Sequence, residues 1–167
     1  LYFVFSRARA EDLAKHLGRW LKFPLINKRE GAEIQRRIQE FMTQPGAEVA
    51  LTPDLISLYQ KGVAFHHAGL HVMLKVLVEE LYESKLLKVL YCTGTFALGI
   101  NMPARSAVFD SLKRYDGNGF IPLPTREFMQ MAGRAGRRGL DSEGVVVMRM
   151  DLSDYGEYEQ QIKGYLS

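Results

Sequence analysis

Five short apolar runs separated by stretches of helical spacing constrain this chain more than any other feature. The runs are residues 1–5 (LYFVF), 63–65, 88–92, 106–109 and 145–148. Continuous apolar runs of this length read as strands buried on both faces, the habit of parallel sheets. Between them, apolar residues recur at three- and four-residue intervals. Leu13, Leu17, Trp20 and Leu21 mark a helix over residues 8–22, stopped by Pro24, and Ile34, Ile38 and Phe41 mark one over 29–42, ending at Pro45-Gly46. A short helix opens at Pro53 and closes at Gly62, Leu74, Leu77, Val78 and Leu81 mark another ending near Ser84, and residues 155–165 predict the last. Residues 113–115 extend the edge of the fourth strand before the D-G-N-G turn at 116–119. Strands alternating with helices predict an α/β fold with a mostly parallel central sheet flanked by helices. Its 167 residues suit one domain, 1–167, with residues 28–62 as a helical insertion packed on the sheet.

The stretch from Thr125 to Gly144, TREFMQMAGRAGRRGLDSEG, carries the chemistry. Glu127, Phe128, Met131 and Ala132 give its first half helical spacing, which cannot continue through Gly133, Gly136 and Gly139. Arg134, Arg137 and Arg138 project from the resulting turn. A guanidinium is planar, permanently charged and matched to phosphate oxygens, so the turn reads as phosphate-facing.

Other polar residues fall at strand ends: Ser6-Arg7 after the first, His67-Ala68-Gly69 after the second, Thr93 and Thr95 after the third. A parallel sheet brings such ends to one edge, so these residues are expected on one continuous surface. Small hydroxyls, glycine-opened N–H groups and an arginine are what a sugar-phosphate backbone requires. The net charge of +3 permits a polyanionic partner without demanding one. His67 and His71 stand four apart, but no acidic or thiol ligand joins them nearby, so no metal site is expected. The single cysteine, Cys92, excludes an internal disulfide and fits a reducing compartment, with a cytoplasmic location the expectation. No apolar run approaches the ~20 residues that span a bilayer, and no membrane partner is expected.

The sequence has no GxxxxGK[ST] phosphate loop, no Asp-Glu pair at a strand end, and neither GxSxG nor HExxH. It offers arginines to a nucleoside triphosphate but nothing to cradle its phosphates.

Four stretches, in order, carry a resemblance. FVFSR at 3–7 resembles helicase motif IV, and FHHAGL at 65–70 followed by VEEL at 78–81 is characteristic of one group. CTGTFALGINMPA at 92–104 resembles motif V and QMAGRAGRRGLD at 130–141 resembles motif VI. Over nearly its whole length the chain resembles the second RecA-like domain of a superfamily-two DExH helicase. It is most similar to the superkiller-like, exosome-associated RNA helicases and their bacterial relatives, and a bacterial source is expected. Gly94 departs from that pattern, which usually has glutamate or another polar residue there. The resemblance implies a RecA-like three-layer sandwich and a helicase that hydrolyses ATP with Mg2+. Both would be bound mainly by a first RecA-like domain of the same polypeptide, absent here, so the chain alone would be inactive. It further implies that Arg134 and Arg137 are arginine fingers with Gln130 beside them, and that Gly99 and Asn101 line the nucleotide side. Ser6, Arg7, His67, Gly69, Thr93 and Thr95 would touch a single strand, RNA in preference to DNA, and residues 93–101 would couple nucleotide to strand. Two other readings stand lower. One is a nucleic-acid-binding module without catalysis. The other is a doubly wound metabolic enzyme, which would need a glycine-rich loop where the chain has Ser6-Arg7-Ala8-Arg9.

Overall fold

The structure, a computed structural model, describes residues 1–99 and 102–167, without the side chains of 98, 99, 154 and 157. Among the described residues, seven strands and eight helices follow one another as β1 (Tyr2–Val4), α1 (Arg7–Trp20), α2 (Lys28–Met42), α3 (Ala47–Ala50), α4 (Pro53–Tyr59), β2 (Val63–His66), α5 (Val72–Glu83), β3 (Val89–Thr93), α6 (Gly94–Gly99), β4 (Ser106–Phe109), β5 (Lys113–Tyr115), β6 (Phe120–Pro122), α7 (Thr125–Ala132), β7 (Val145–Met148) and α8 (Leu152–Leu166). Five strands form the central sheet in the order β2-β3-β1-β4-β7. β1 runs parallel to β4, with Phe3 opposite Phe109, and β4 runs parallel to β7, with Phe109 opposite Met148. This is the expected α/β architecture, and a parallel sheet clothed in helices is consistent with a RecA-like fold. The chain divides into two compact units, residues 7–91 and residues 1–6 with 92–167.

In the unit of residues 7–91, α1 departs from its expected stripe. Its buried residues are Ala10, Ala14 and Gly18, while Leu13 and Leu17 are half-buried and Trp20 is 72% exposed. The three small residues lie four apart on one face and let the helix come close to its neighbours. A Cβ built on Gly18 would lie 2.7 Å from Leu58 Cδ1 of α4. Large apolar residues mark the periodicity, but here close approach decides which face is buried. Lys61 Nζ donates to the carbonyls of Gly18 (2.5 Å) and Leu21 (3.2 Å), placing a cation at the helix C-terminus where the backbone dipole favours it. α2 starts on a capping box, the Asn27 side chain accepting from Glu30 N–H and the Glu30 carboxylate accepting from Asn27 N–H, both at 2.9 Å. Its buried face is Ile34, Ile38 and Phe41, as the spacing predicts. α4 opens with Pro53 behind the Thr52 cap and rests on β2 and α1.

In the other unit, Phe109 lies between Phe3 and Phe128, and Phe128 stacks on Tyr165 of α8 with ring centres 4.1 Å apart. Two expectations change here. Residues 113–115 do not extend β4; they pair antiparallel with β6, Tyr115 opposite Phe120, because Asp116 closes the turn by accepting from the N–H groups of Asn118 (2.8 Å) and Gly119 (3.0 Å). β7 is not a buried strand. It ends the sheet, and Val145, Val146 and Val147 are 45, 37 and 45% exposed. An apolar run reports affinity for a pleated surface, not the number of neighbours a strand acquires. Among the described residues no helix is long and apolar enough to cross a membrane.

Candidate functional site

Helix α7 delivers the arginine turn. Its buried Phe128 and Met131 fix it to the core, and it ends at Gly133, whose N–H donates to Met129 O at 2.9 Å. From there the backbone is stitched to the loop before β4. Ala104 N–H donates to Arg134 O (2.8 Å) and Gly136 N–H donates to Ala104 O (2.7 Å), a parallel bridge that centres on Ala135. Gly136 has φ +90°, a left-handed conformation that a side chain would strain. Gly144 passes so close behind that a Cβ there would lie 2.5 Å from the carbonyl carbon and oxygen of Ala135. Two of the glycines that frame this turn are thus demanded by backbone conformation and by close passage of the chain.

The three arginines have different fates. Arg134 turns inward and donates from Nη2 to the carbonyl oxygen of Ala97 in α6. Arg137 is gripped by Asp141, with Nε to Oδ2 at 2.7 Å, Nη2 to Oδ1 at 2.8 Å and its backbone N–H to Oδ2 at 3.0 Å. The Arg137 hydrogen bonds pull the Asp141 carboxyl down to about 2. Arg138 is exposed and, among the described residues, has no hydrogen-bond or ion-pair partner. Gln130, four residues before Arg134 on α7, is exposed.

Helix α6 is the partner of this turn. Gly94 opens it, and a Cβ built there would meet Met131 Sδ at an ordinary 3.6 Å. Phe96 and Ala97 are buried, Thr95 is exposed, and the hydroxyls of Thr93 and Thr95 lie 3.1 Å apart. Gly99 closes the helix; Asn101 lies outside the described residues. The structure therefore joins the segments resembling motifs V and VI through Arg134 to Ala97 and through Ala104 to the turn. Ser6, exposed, lies in the same unit.

Arg7, His67 and Gly69 lie together in the other unit. His67 is 3% exposed and its ring stacks on Phe65, 5.6 Å between centres and 9° from parallel. Its Nδ1 accepts from Gly69 N–H (3.1 Å), which in the neutral ring leaves the proton on Nε2 to donate to Glu11 Oε1 (3.0 Å). Burial pushes the Glu11 carboxyl up, but hydrogen bonds from Lys15 and His67 outweigh it and hold the group below its ordinary value. The His67 ring is thus buried, with both nitrogens engaged inside the unit. Ala68 and Gly69 are exposed, and Arg7 Nη1 would lie 3.0 Å from a Cβ built on Gly69. His71 instead caps α5, Nδ1 accepting from Met73 N–H at 3.3 Å, so the two histidines serve separate local structures. Among the described residues no group of three or more His, Cys, Asp or Glu could hold a metal ion.

Sequence reasoning missed Asp141 and Glu11. Asp141 stands four residues after the arginine it holds, so opposite charges at that spacing were an available signal. Glu11 is separated from His67 by 56 residues, and only folding relates them.

No family model matches the chain. It is nevertheless similar to helicases over most of its length. Antiviral helicase SKI2 of Saccharomyces cerevisiae is 42% identical over 150 residues, covering 87% of this chain and 11% of that protein. Exosome RNA helicase MTR4 of Mus musculus is 44% identical over 151 residues, 90% of this chain and 14% of that protein. ATP-dependent RNA helicase mtr4 of Schizosaccharomyces pombe is 34% identical over 151 residues, again 90% and 14%. These relatives are helicases by name, two of them RNA helicases, and the chain spans between 11% and 14% of their lengths. They come from fungi and a mammal and lend no support to a bacterial source.

Proposed function

We propose that this chain is the second RecA-like domain of an ATP-dependent RNA helicase of the DExH group. The observation that carries the reading is the stitching of the arginine turn to α6 and Ala104, because it joins a phosphate-seeking turn to a threonine-bearing helix start. In this reading Arg137 and Arg134 approach the γ-phosphate of ATP held on the first RecA-like domain of the same polypeptide, with Gln130 beside them. Chemically the guanidinium groups fit: each offers fixed N–H donors to developing charge on phosphate oxygens. Mg2+ would be held by carboxylates of that first domain. Gly99 and Asn101 would face the nucleotide. Ser6, Thr93 and Thr95 of one unit and Arg7 and Gly69 of the other would each grip phosphates of a single RNA strand, with His67 acting through Gly69. Arg134, bonded to Ala97, would carry the state of the nucleotide to Thr93 and Thr95. RNA is preferred to DNA because the similar proteins are named RNA helicases. A cytoplasmic location accompanies the reading.

The test is single-turnover ATP hydrolysis by the full-length protein with saturating RNA, with nucleotide affinity measured separately. Arg137→Ala is expected to lower the rate by about 10³- to 10⁵-fold with little change in ATP affinity, the signature of a contact made in the transition state. Arg134→Ala should lower the rate and also the unfolding temperature, since it removes the tie to Ala97. Arg138→Ala, the exposed neighbour, should change turnover only mildly. Normal hydrolysis by Arg137→Ala would overturn the reading.

A further inference from the structure

We propose that Asp141 is a positioning residue for Arg137, its carboxylate aiming the guanidinium that meets phosphate. This rests on the reading of Arg137 as an arginine finger. One carboxylate holds both ends of the Arg137 residue: Oδ2 accepts from the backbone N–H and from Nε, and Oδ1 accepts from Nη2. The grip is reciprocal, because Asp141 N–H donates to Arg137 O at 2.9 Å. A long side chain otherwise free to sample its rotamers is thereby fixed relative to its own peptide, and an unfixed arginine would have to give up rotamer freedom on engaging a ligand. The aspartate side chain is 9% exposed and the arginine 33%, so the carboxylate supports the fork from beneath. It takes the Nε–Nη2 edge. Arg138, next in the chain and exposed, has no comparable carboxylate among the described residues. Gly136 and the Ala104 bridge determine the backbone just before Arg137, and the Asp141 carboxylate adds a tie to it by accepting from Arg137 N–H. Its other two bonds orient one side chain.

The experiment uses the full-length protein with saturating RNA and compares Asp141→Asn, Asp141→Ala, Arg137→Ala and the Arg137→Ala/Asp141→Ala double variant. Measured are kcat and KM for ATP, affinity for a non-hydrolysable ATP analogue, and the unfolding temperature. Asp141→Ala is expected to lower kcat by about 10- to 100-fold, the scale of a misplaced catalytic group. Asp141→Asn, which keeps one acceptor oxygen, should fall between it and the native protein. KM and analogue affinity should stay within about twofold, because uniform binding is not what Asp141 supplies. The double variant should be no slower than Arg137→Ala alone, since Asp141 acts through Arg137. A rise in turnover on removing Asp141 would mean that the pair parks Arg137, and would overturn the proposal. So would losses that multiply in the double variant, or a fall in unfolding temperature and nucleotide affinity that accounts for the lost rate. Asp141→Asn, nearly isosteric, supplies the comparison where the alanine variant does not fold. If Arg137→Ala is crippled while both Asp141 variants turn over normally, positioning alone fails and the finger reading stands. If Arg137→Ala hydrolyses normally, the finger reading fails and this proposal falls with it.

Discussion

The arginine turn and the loop at residues 66–70 use side chain and backbone in opposite ways. In the turn the backbone is tied down, by the Ala104 bridge, by Gly136 and by the close passage of Gly144, and charged side chains stand on it. In the loop the His67 side chain is tied down, between Phe65, Glu11 and Gly69 N–H, and it holds in place the exposed residues Ala68 and Gly69, whose carbonyl and N–H are taken by Lys75 and His67. A guanidinium that must meet developing charge has to be positioned through its side chain. A surface that tracks a strand regardless of sequence can be made of peptide groups, which need only be presented.

This contrast can be broken at several points. The largest expected effect is again at Arg137. Arg137→Lys keeps the charge but not the planar fork, and should lose most of the turnover that alanine loses, measured in the same single-turnover assay. If lysine restores the rate, charge alone sufficed and the fixed geometry of the turn is irrelevant. Next is the backbone beneath it. Gly144→Ala pushes a methyl into the Ala135 carbonyl and should destabilise the protein by about 2–3 kcal/mol in denaturant titration. An unaltered midpoint would mean that the chain passes behind the turn with room to spare.

On the loop side, His67→Ala removes a 3% exposed ring with two hydrogen bonds and should cost about 2 kcal/mol of stability together with RNA affinity. Arg7→Ala separates the two losses. Arg7 is exposed, so affinity should fall similarly across RNA sequences, and the slope of log affinity against log salt should become shallower by about 1, with stability retained. Affinity lost at particular sequences only would mean that Arg7 reads bases.

The smallest effect is a pH dependence. Asp141 titrates at about 2 in the folded protein against an ordinary 3.8. A depressed carboxyl stabilises the fold above its unfolded value, and that stabilisation disappears as pH falls through the folded one. The gap in unfolding temperature between the native protein and Asp141→Asn should therefore be widest above about pH 4 and should close towards pH 2. A gap that persists unchanged at the acid end would mean that the carboxylate acts by packing and not by charge.

Much of this molecule was legible in the residues. The apolar runs and their helical intervals specify the α/β alternation, because local periodicity is what a pleated strand or an amphipathic helix imposes on a sequence. α5 and α7 bury the residues that their spacing marks, Leu74, Leu77, Val78 and Leu81 in one and Phe128 and Met131 in the other. The arginine turn was legible too, since its glycines answer to short-range backbone demands. Only the tertiary structure decided which face of α1 is buried, that β7 closes the sheet half-exposed, and that residues 113–115 fold back on β6. It also decided that His67 supports Gly69 while Arg134 reaches Ala97. Arg134 finds Ala97 across 37 residues of chain and His67 finds Glu11 across 56, and a side chain carries no local record of a partner so far away.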